Sequence, residues 1–172
     1  MSKLRLIVIV VFVVIGYFNA GSRRKSSSNV VSRPDQPDMI RVAENDPEMD
    51  QAVKTAPQTV QQFIDALKSP KPNQTNFSIK KGFKDKGMTE HIWLGDVTYD
   101  GTVFHGRINN EPVDVKNVKF GEAVTVGPKD ISDWMYIEDG KLVGGYTVRL
   151  LYNRESPEGK KQFVKETGMK ME

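Results

Sequence analysis

The sequence predicts a small α+β domain: a mainly antiparallel sheet or partly closed barrel, packed by an N-terminal helical segment and a C-terminal helix, and preceded by a membrane anchor or signal segment. Three observations support this fold class. Residues 6–18 form a nearly unbroken apolar run. Apolar residues repeat at helical spacing after Asp46. Two Asp-Gly pairs, at Asp100 and Asp139, each separate two apolar segments, which is a β-hairpin pattern.

The chain divides into four predicted parts. Residues 1–21 are an N-terminal transmembrane anchor or signal sequence, 22–45 a flexible linker rich in serine, proline and charge, 46–168 a single α+β domain, and 169–172 a tail. A chain of 172 residues has room for one modest domain in addition to such segments.

Charge and cysteine content exclude several functions. Five positive charges stand among the first 25 residues without an acid, and they exceed the net charge of +3, so the remaining chain is slightly acidic. A nucleic-acid-binding domain presents a basic face on its folded part, so no nucleic-acid partner is predicted. The absence of cysteine excludes disulfides, thiol catalysis and Cys-based zinc sites. No cofactor is predicted.

The apolar run from Leu6 to Phe18 predicts contact with a membrane. As a helix it spans about 20 Å, short of the ~30 Å hydrocarbon core, which suits a signal peptide. The longer stretch from Leu4 to Gly21 approaches spanning length. Two alternatives follow: a single pass of the bacterial inner membrane through Leu6–Ala20, with the domain outside the cytoplasm, or a secreted or periplasmic protein released by cleavage before Arg23.

Helix signals frame the domain. Asp46 is a predicted N-cap, and Pro57 is predicted to kink or split the helix that follows. Ser156 is the predicted N-cap of a C-terminal helix that ends at Gly168. Between them, the lysine-rich stretch FSIKKGFKDKG predicts an edge strand protected by its lysines, with a phosphate or acidic-lipid site as the alternative.

The first hairpin contains the candidate catalytic pair. A two-residue turn at Asp100-Gly101 places Asp96 opposite His105, where the carboxylate could orient the imidazole as a general base. A plain cross-strand pair is the alternative. The two histidines, His91 and His105, fall on opposite faces in this register, so no metal site is predicted.

The second hairpin contains most of the candidate binding residues. A turn at Asp139-Gly140 pairs Met135 with Gly144 and sets Trp134 over Gly145. Both faces are apolar, which favours a strand covered on two sides. We interpret it as core first and ligand site second, with polar ends that need partners if they are buried. Short strands are also predicted near 113–115 and 123–126. The candidate binding residues are Glu111, Asp133, Trp134, Tyr136, Tyr146 and Arg149.

Several blocks of this sequence resemble a known family. They are EHIWL (90–94), NNEP (109–112), FGE (120–122), ISDWMY (131–136) and GKLVGGYTVR (140–149). Together they are similar to the YegJ-like bacterial envelope proteins of unknown function. The resemblance implies a compact α+β domain behind a signal sequence or anchor, and it implies no activity and no catalytic residues.

Two functional hypotheses follow. The first is a membrane-tethered interaction module that binds an envelope protein or component through an exposed face around Trp134, Tyr136 and Glu111. The second is an envelope hydrolase or lyase that uses Asp96, His105, Glu90 or Asp133, which requires those groups to converge in one cleft. The hairpin register separates several of them, and this favours binding.

Overall fold

The computed structural model describes residues 14–18, 29–33, 36–43 and 46–171. They form an α+β domain in which one open sheet is packed by three helices. Six antiparallel strands that begin at Gln74 make up the main part of the sheet, and three strands from the N-terminal part of the chain extend it. The predicted α+β class is confirmed, and the sheet is open and not a closed barrel.

The N-terminal strands are β1 (Val14–Phe18), β2 (Asn29–Arg33) and β3 (Gln36–Ala43). β1 runs parallel to β3 and antiparallel to the start of β5 (Met88–Tyr99). They fall in the segments predicted as anchor and flexible linker. Their valine, isoleucine and aromatic residues favour extended backbone. The rest of the anchor lies outside the described residues and stays a prediction, and no described helix is both long and apolar enough to span a bilayer.

The helix α1 (Pro47–Lys68) begins where the sequence predicts. The Asp46 carboxylate accepts hydrogen bonds from two amides of the first turn, at 3.1 and 3.2 Å. The predicted split at Pro57 is wrong, because the helix continues through it, and a kink there stays a prediction. Packing against the sheet supports this region: Trp134 Nε1 donates to the carbonyl of Ala56 at 3.1 Å. The buried positions of the helix are Met49, Ala56, Phe63 and Ile64.

The lysine-rich strand β4 (Gln74–Asp85) is central, so its assignment as an edge strand is wrong. It pairs with β5 on one side and with β8 (Ile131–Glu138) on the other. The lysine content of this segment predicted a strand exposed to solvent, but the Lys80 side chain is fully buried. A charged side chain can occupy a central strand when a buried partner of opposite charge lies beside it.

The first hairpin joins β5 to β6 (Phe104–Ile108) in a register that differs from the prediction. Residues 100–103 form a wider loop, because the Asp100 carboxylate accepts hydrogen bonds from the amides of Thr102 and Val103 at 2.8 and 2.9 Å. Tyr99 then pairs with Phe104. The ladder also shifts between Gly95 and Thr98, where Asp96 has a left-handed backbone (φ 50) in a β-bulge.

Two further strands complete the sheet. β7 (Ala123–Val126) pairs with β6 and confirms the strand predicted near 123–126. The strand predicted near 113–115 is wrong, because that segment is a loop. β9 (Lys141–Gly144) pairs with β8 in the predicted register, with Met135 opposite Gly144. The Trp134 ring lies against Gly144, where an added Cβ would be 2.5 Å from a ring carbon.

The chain ends in α2 (Tyr146–Arg154) and α3 (Pro157–Thr167). The predicted ends of α3 are confirmed: the Ser156 hydroxyl accepts from the amide of Gly159 at 3.1 Å, and Gly168 closes the helix with φ 68. The residues predicted as a tail are partly packed, because Met169 is buried and Lys170 bridges to Lys141 of β9.

The core lies on both faces of β8, as the sequence predicts for a doubly apolar strand. Trp134 and Tyr136 belong to the cluster that contains Ala56 and Phe63 of α1. Side chains on the opposite face belong to a second cluster, made of Trp93, Met135, Ile137, Leu142, Val148 and Met169. Helix α2 contributes to both clusters, through Tyr146 in the first and Val148 in the second.

Candidate functional site

A buried charge cluster lies where β4, β8 and the start of α2 meet. Lys80 and Asp133 are cross-strand partners, and both are fully buried. The buried hydroxyl of Thr147 bridges them: Lys80 Nζ donates to Thr147 Oγ1 at 2.8 Å, and Thr147 Oγ1 donates to Asp133 Oδ2 at 2.5 Å. Buried charges are tolerated when they are paired and hydrogen-bonded. The three residues therefore act as one unit.

Asp133 also caps α2. Gly145 precedes the helix with a left-handed backbone and has no side chain to cap it. The Asp133 carboxylate instead accepts hydrogen bonds from the amides of Tyr146 at 3.1 Å and Thr147 at 2.9 Å. These amides lack partners within the helix, and the helix N-terminus favours negative charge. A strand residue thus supplies the cap for a helix that follows it in the chain.

Burial shifts both charged groups toward their neutral forms. Desolvation lowers the pKa of Lys80 to about 8, and the charge of Asp133 opposes this shift. Desolvation also raises the pKa of Asp133, against the charge of Lys80 and the hydrogen bonds from Thr147. The ammonium lies 4.6 Å from the centroid of the Trp93 ring, a cation–π contact. Removing either partner would leave the other charge buried alone.

His91 lies on β5 close to this cluster and stays neutral. Its ring packs on Gly82, where an added Cβ would be 3.1 Å from the imidazole Cε1. Burial first, and the charge of Lys80 second, lower the pKa of His91 to about 3. A histidine with this pKa does not change its charge near neutral pH.

The charge cluster places an amine and a carboxylate on either side of a hydroxyl, which is an arrangement that can activate a threonine nucleophile. Such a role requires contact with a substrate, yet Lys80, Asp133 and Thr147 are each 0% exposed. The Thr147 hydroxyl already donates to one partner and accepts from the other. In this structure the cluster joins two strands to a helix.

Glu90 is the centre of a second buried polar unit. Its carboxylate, 0% exposed, accepts hydrogen bonds from the successive amides of Val113, Asp114 and Val115 at 2.8 to 3.2 Å. Successive amides that converge on one anion form a nest. This contact explains why 113–115 is not a strand: its amides point at Glu90 and not at a neighbouring strand.

The candidate binding residues Trp134 and Tyr136 are core residues. Their exposed fractions are 0% and 4%. Trp134 Nε1 donates to the hydroxyl of Thr59 at 3.1 Å as well as to the carbonyl of Ala56, and the Tyr136 ring stacks on Phe77 with 5.1 Å between centroids. The exposed face expected around these two aromatic residues is absent from the described surface, because both rings fill the space beneath α1.

Tyr146 joins Asp133 and Trp134 in the interior: its amide donates to Asp133 at 3.1 Å, and its ring centroid lies 5.8 Å from that of Trp134. The Tyr146 hydroxyl donates to Thr59 at 2.8 Å, and Arg149 Nε donates to the carbonyl of Gly144 at 2.8 Å. The expectation that the polar ends of buried residues find partners is thereby confirmed for them and for Asp133. Glu111 is exposed in the loop after β6, and a binding role for it stays a prediction.

The candidate catalytic residues Asp96 and His105 do not face each other. His105 lies opposite Thr98, and its carboxylate partner is Asp100, with 2.9 Å between Nε2 and Oδ2. Both members of this pair are about half exposed. The amide of Val103, the ring of His105 and the amide of Thr102 together lower the pKa of Asp100 to about 2. Because the loop is wider than predicted, the partner of His105 is Asp100 and not Asp96.

The groups required by the hydrolase or lyase hypothesis do not share a cleft. Glu90 accepts from the loop 113–115, Asp133 from the start of α2, and His105 contacts Asp100. No group of three or more His, Asp or Glu side chains within residues 46–171 is placed to hold a metal ion.

Two accessible features lie within residues 46–171. The first is the Phe120 turn, residues 119–122, which presents a phenylalanine that is 57% exposed. The second is a shallow open depression of about 390 Å³ at the α2–α3 surface. The depression is lined by Tyr152, Lys160, Lys161, Val164 and Lys165.

Sequence reasoning missed Lys80, Thr147 and Phe120. Nothing local distinguishes Lys80 from the lysines around it, because its partners come from β8 and α2. Phe120 did carry a signal: it directly precedes Gly121 and stands outside any alternating strand pattern. An aromatic residue beside a turn glycine is placed at the surface more readily than one within a strand.

Comparison with protein families matches residues 46–171 to the family described as "Uncharacterized protein conserved in bacteria (DUF2314)". The chain is 41% identical over 100 residues to the Uncharacterized protein YegJ of Escherichia coli (strain K12), which covers 58% of this chain and 64% of that protein. It is 39% identical over 75 residues to a Putative ankyrin repeat protein of Neisseria meningitidis serogroup B, covering 44% and 30% respectively. The matches thus span less than two thirds of either relative. No solved structure matches.

Proposed function

Because the chain belongs to the DUF2314 family of bacterial proteins, and the matched region includes every cluster described above, we propose that it is a membrane-tethered binding module of the bacterial envelope. The proposed recognition surface is the Phe120 turn. The proposed tether is Leu6–Ala20, a single pass of the inner membrane with residues 46–171 outside the cytoplasm. It requires Val14–Phe18 to leave the sheet, where the structure pairs them with β3 and β5. A secreted or periplasmic protein released by cleavage is the alternative.

One observation supports the recognition surface above others. Phe120 is the large hydrophobic side chain that residues 46–171 leave exposed, at 57%. Fully burying a phenylalanine is worth about 1.5–3 kcal/mol, and in this domain that gain is left for a partner. Aromatic residues are also enriched among the residues that dominate binding energy at interfaces.

The Phe120 turn is held rigid by its own hydrogen bonds. The amide of Lys119 donates to Glu122 Oε2 at 2.9 Å, and the amide of Glu122 donates back to the carbonyl of Lys119 at 3.1 Å. Gly121, with φ 76, donates to the carbonyl of Ile108 at 2.8 Å. Arg107 Nη1 donates to the carbonyl of Gly121 at 3.0 Å. A side chain presented by an ordered turn loses little conformational entropy on binding.

Binding is proposed over catalysis because the ionisable groups whose pKa values are shifted mainly by desolvation are buried in the domain. Lys80, Asp133 and His91 lie at the joint between the sheet and α2. Their hydrogen bonds and packing support the fold around them. The Phe120 side chain, by contrast, is 57% exposed.

The proposal is tested with a photo-crosslinking amino acid in the full chain in bacterial cells. Placed at residue 120, it should give one discrete crosslinked species, whereas the same group at the exposed Gln162 of α3 should not give that species. Substituting Phe120→Ser should remove the interaction and leave the free energy of unfolding within about 0.5 kcal/mol, because the ring is exposed. Equal crosslinking from both positions would contradict the proposed surface.

The tether is tested separately by fractionating cells that produce the full chain. The anchored form should remain with membranes after alkaline extraction, and protease added to spheroplasts should degrade residues 46–171. Recovery of the chain in the cytosol with Leu6–Ala20 intact would contradict the envelope assignment, whatever the crosslinks show.

A further inference from the structure

The strand β1 lies between two other strands of the sheet. It runs parallel to β3, with Tyr17 opposite Val42, and antiparallel to β5, with Tyr17 opposite Thr89. Along this side of the sheet the strand order is β2, β3, β1 and β5, so no other described strand joins β3 to β5. The backbone of Val14–Phe18 therefore exchanges hydrogen bonds with both neighbours.

The residues of β1 also belong to the proposed tether, and they cannot serve both roles at once. Within hydrocarbon, a single segment satisfies its backbone amides and carbonyls as a helix, whose hydrogen bonds stay inside the segment. A strand makes the same hydrogen bonds with its neighbours instead. Insertion of Leu6–Ala20 into the bilayer therefore removes β1 from the sheet.

Departure of β1 leaves a slot between β3 and β5. Val42 of β3 is buried in a cluster with Met49 of α1 and Leu151 of α2. Closing the slot requires Val42 to leave this packing, so the cluster holds the end of β3 in place. Because adjacent strands lie about 4.8 Å apart, β3 and β5 are about two such spacings apart, and the slot takes one extended segment.

Both walls of the slot are strand edges. On β5 the residues that pair with β1 are Thr89–His91, and pairing with β6 begins only at Leu94. A strand edge without its neighbour is a template for pairing with another chain. A segment that enters the slot pairs on both sides, as β1 does with the sequence VIGYF. Segments that fit are therefore extended and apolar, with β-branched and aromatic residues.

We propose that the slot between β3 and β5 binds an extended apolar segment of another envelope protein once the tether has entered the bilayer, an inference that rests on the proposed function. Before insertion, Val14–Phe18 occupies the slot and closes it to other strands. Strand addition of this kind takes its affinity from main-chain hydrogen bonds and its specificity from alternate side chains. The slot is then open only on chains that have reached the membrane.

The first measurement locates β1 by disulfide formation in the full chain, which has no cysteine of its own. Tyr17→Cys with Thr89→Cys places two thiols at paired positions of β1 and β5. Under mild oxidation the lipid-free chain should form this disulfide, and the chain reconstituted into phospholipid vesicles should lose it. The control is Tyr17→Cys with Gln162→Cys, which should form no disulfide in either state because Gln162 lies on α3.

The second measurement adds a strand from outside. The probe is a synthetic peptide with the sequence of residues 12–20, cysteine in place of Tyr17, and terminal lysines for solubility. It should form a mixed disulfide with the Thr89→Cys chain in vesicles, and not with the lipid-free chain, whose own β1 fills the slot. The control peptide also carries Gly16→Pro, which removes a backbone donor from the middle of the strand and should abolish the reaction.

The outcomes separate this inference from the proposed function. A mixed disulfide that requires both the bilayer and the peptide with Gly16 supports the inference. If vesicles abolish the disulfide between positions 17 and 89 but neither peptide reacts, or both react equally, the inference is overturned and the tether stands. A disulfide between Val42→Cys and Thr89→Cys in vesicles would show that β3 closes the slot, which also overturns it.

Two results concern β1 itself. If the lipid-free chain forms no disulfide between positions 17 and 89, β1 does not cover the slot, and the inference fails. If that disulfide persists in vesicles, the tether is contradicted and the inference fails with it. The crosslink from residue 120 tests the recognition surface in either case.

Discussion

The two Asp-Gly hairpins of this domain have the same dipeptide at their tips and form different turns. At Asp139-Gly140 both residues have positive φ, 51 and 76, and Glu138 pairs directly with Lys141. This is the two-residue turn that the dipeptide favours. At Asp100-Gly101 the loop includes four residues, and pairing resumes only between Tyr99 and Phe104.

The hydrogen-bond partners of the two aspartate side chains explain why the turns differ. The Asp139 carboxylate accepts a hydrogen bond from Asn73 Nδ2 at 2.8 Å, which fastens it to the residue before β4. The Asp100 carboxylate accepts from the amides of its own loop, Thr102 and Val103. An aspartate that bonds to its own backbone opens the turn. The hydrogen-bond partners of the aspartate therefore decide which turn an Asp-Gly pair forms in this domain.

The largest expected effect on stability comes from replacing Gly144 of the second hairpin by alanine, with Gly101 of the first hairpin as the comparison. Gly144→Ala places a Cβ 2.4 Å from the carbonyl of Trp134 and 2.5 Å from its ring, at φ 70. We expect a loss of at least about 4 kcal/mol in the free energy of unfolding, by overpacking a core. Gly101→Ala, with no heavy atom within 4 Å of the added Cβ at φ 104, should cost only about 1–2 kcal/mol of backbone strain. Chemical denaturation of both variants measures the difference, and equal losses would contradict it.

The next effect tests the buried charge cluster beside the second hairpin. Lys80→Met should cost about 3–5 kcal/mol, because Asp133 is then left buried without its counter-charge. Adding Asp133→Asn should recover part of that loss, since the amide oxygen can still accept from the start of α2. Lys84→Met, an exposed lysine on the same strand, is the control and should stay within about 0.5 kcal/mol. Additive losses in the double variant would disprove the pairing.

The two histidines extend the comparison to pH. The pKa of His91 is lowered to about 3, so the unfolded chain binds its proton first, and stability falls as the pH drops from 6.5 toward 3. Between pH 6 and pH 4 this group should account for a loss of about 2–3 kcal/mol. His91→Phe should flatten that limb of a stability–pH curve. His105→Phe, at the half-exposed histidine of the first hairpin, is the matched substitution outside the core.

The smallest effect concerns the tip of the first hairpin. The pKa of Asp100 is lowered to about 2, so its contribution is complete above the ordinary pKa of 3.8 and is lost as the pH falls through 2. Asp100→Ala should speed amide exchange at Thr102 and Val103 and leave exchange in β8 unchanged. Asp139→Asn should change neither, because asparagine also adopts the left-handed backbone. Unaltered exchange at Thr102 in Asp100→Ala would rule out the proposed role of its carboxylate.

Features with a local cause could be predicted from the sequence, and features with a distant cause could not. The helix ends at Asp46, Ser156 and Gly168 follow from capping chemistry within a few residues. The second hairpin follows from its dipeptide and its doubly apolar strand. The burial of Lys80 depends on Asp133 and Thr147, far along the chain, and a strand rich in lysine gives no sign of which lysine has such partners.

The candidate site shows the same division. Polar groups that leave solvent need hydrogen-bond partners, and this rule correctly predicted contacts for Asp133, Tyr146 and Arg149. The burial of Trp134 and Tyr136 was predicted from their doubly apolar strand, but the helix that covers them was not, because it depends on where α1 crosses the sheet. The four-residue loop at Asp100 likewise placed His105 opposite Thr98 and not opposite Asp96, although the dipeptide favours a two-residue turn.

The nest around Glu90 has a consequence for how the loop after β6 can be manipulated. Its carboxylate serves as a built-in ligand for the amides of residues 113–115. Shortening it in Glu90→Ala would leave a hole with the dimensions of a small organic acid, lined by three amide donors that converge on the place of the carboxylate. Formate or acetate added to that variant could enter the hole and restore the loop, so that a solute concentration, set by the experimenter, would decide the shape of the surface beside Phe120.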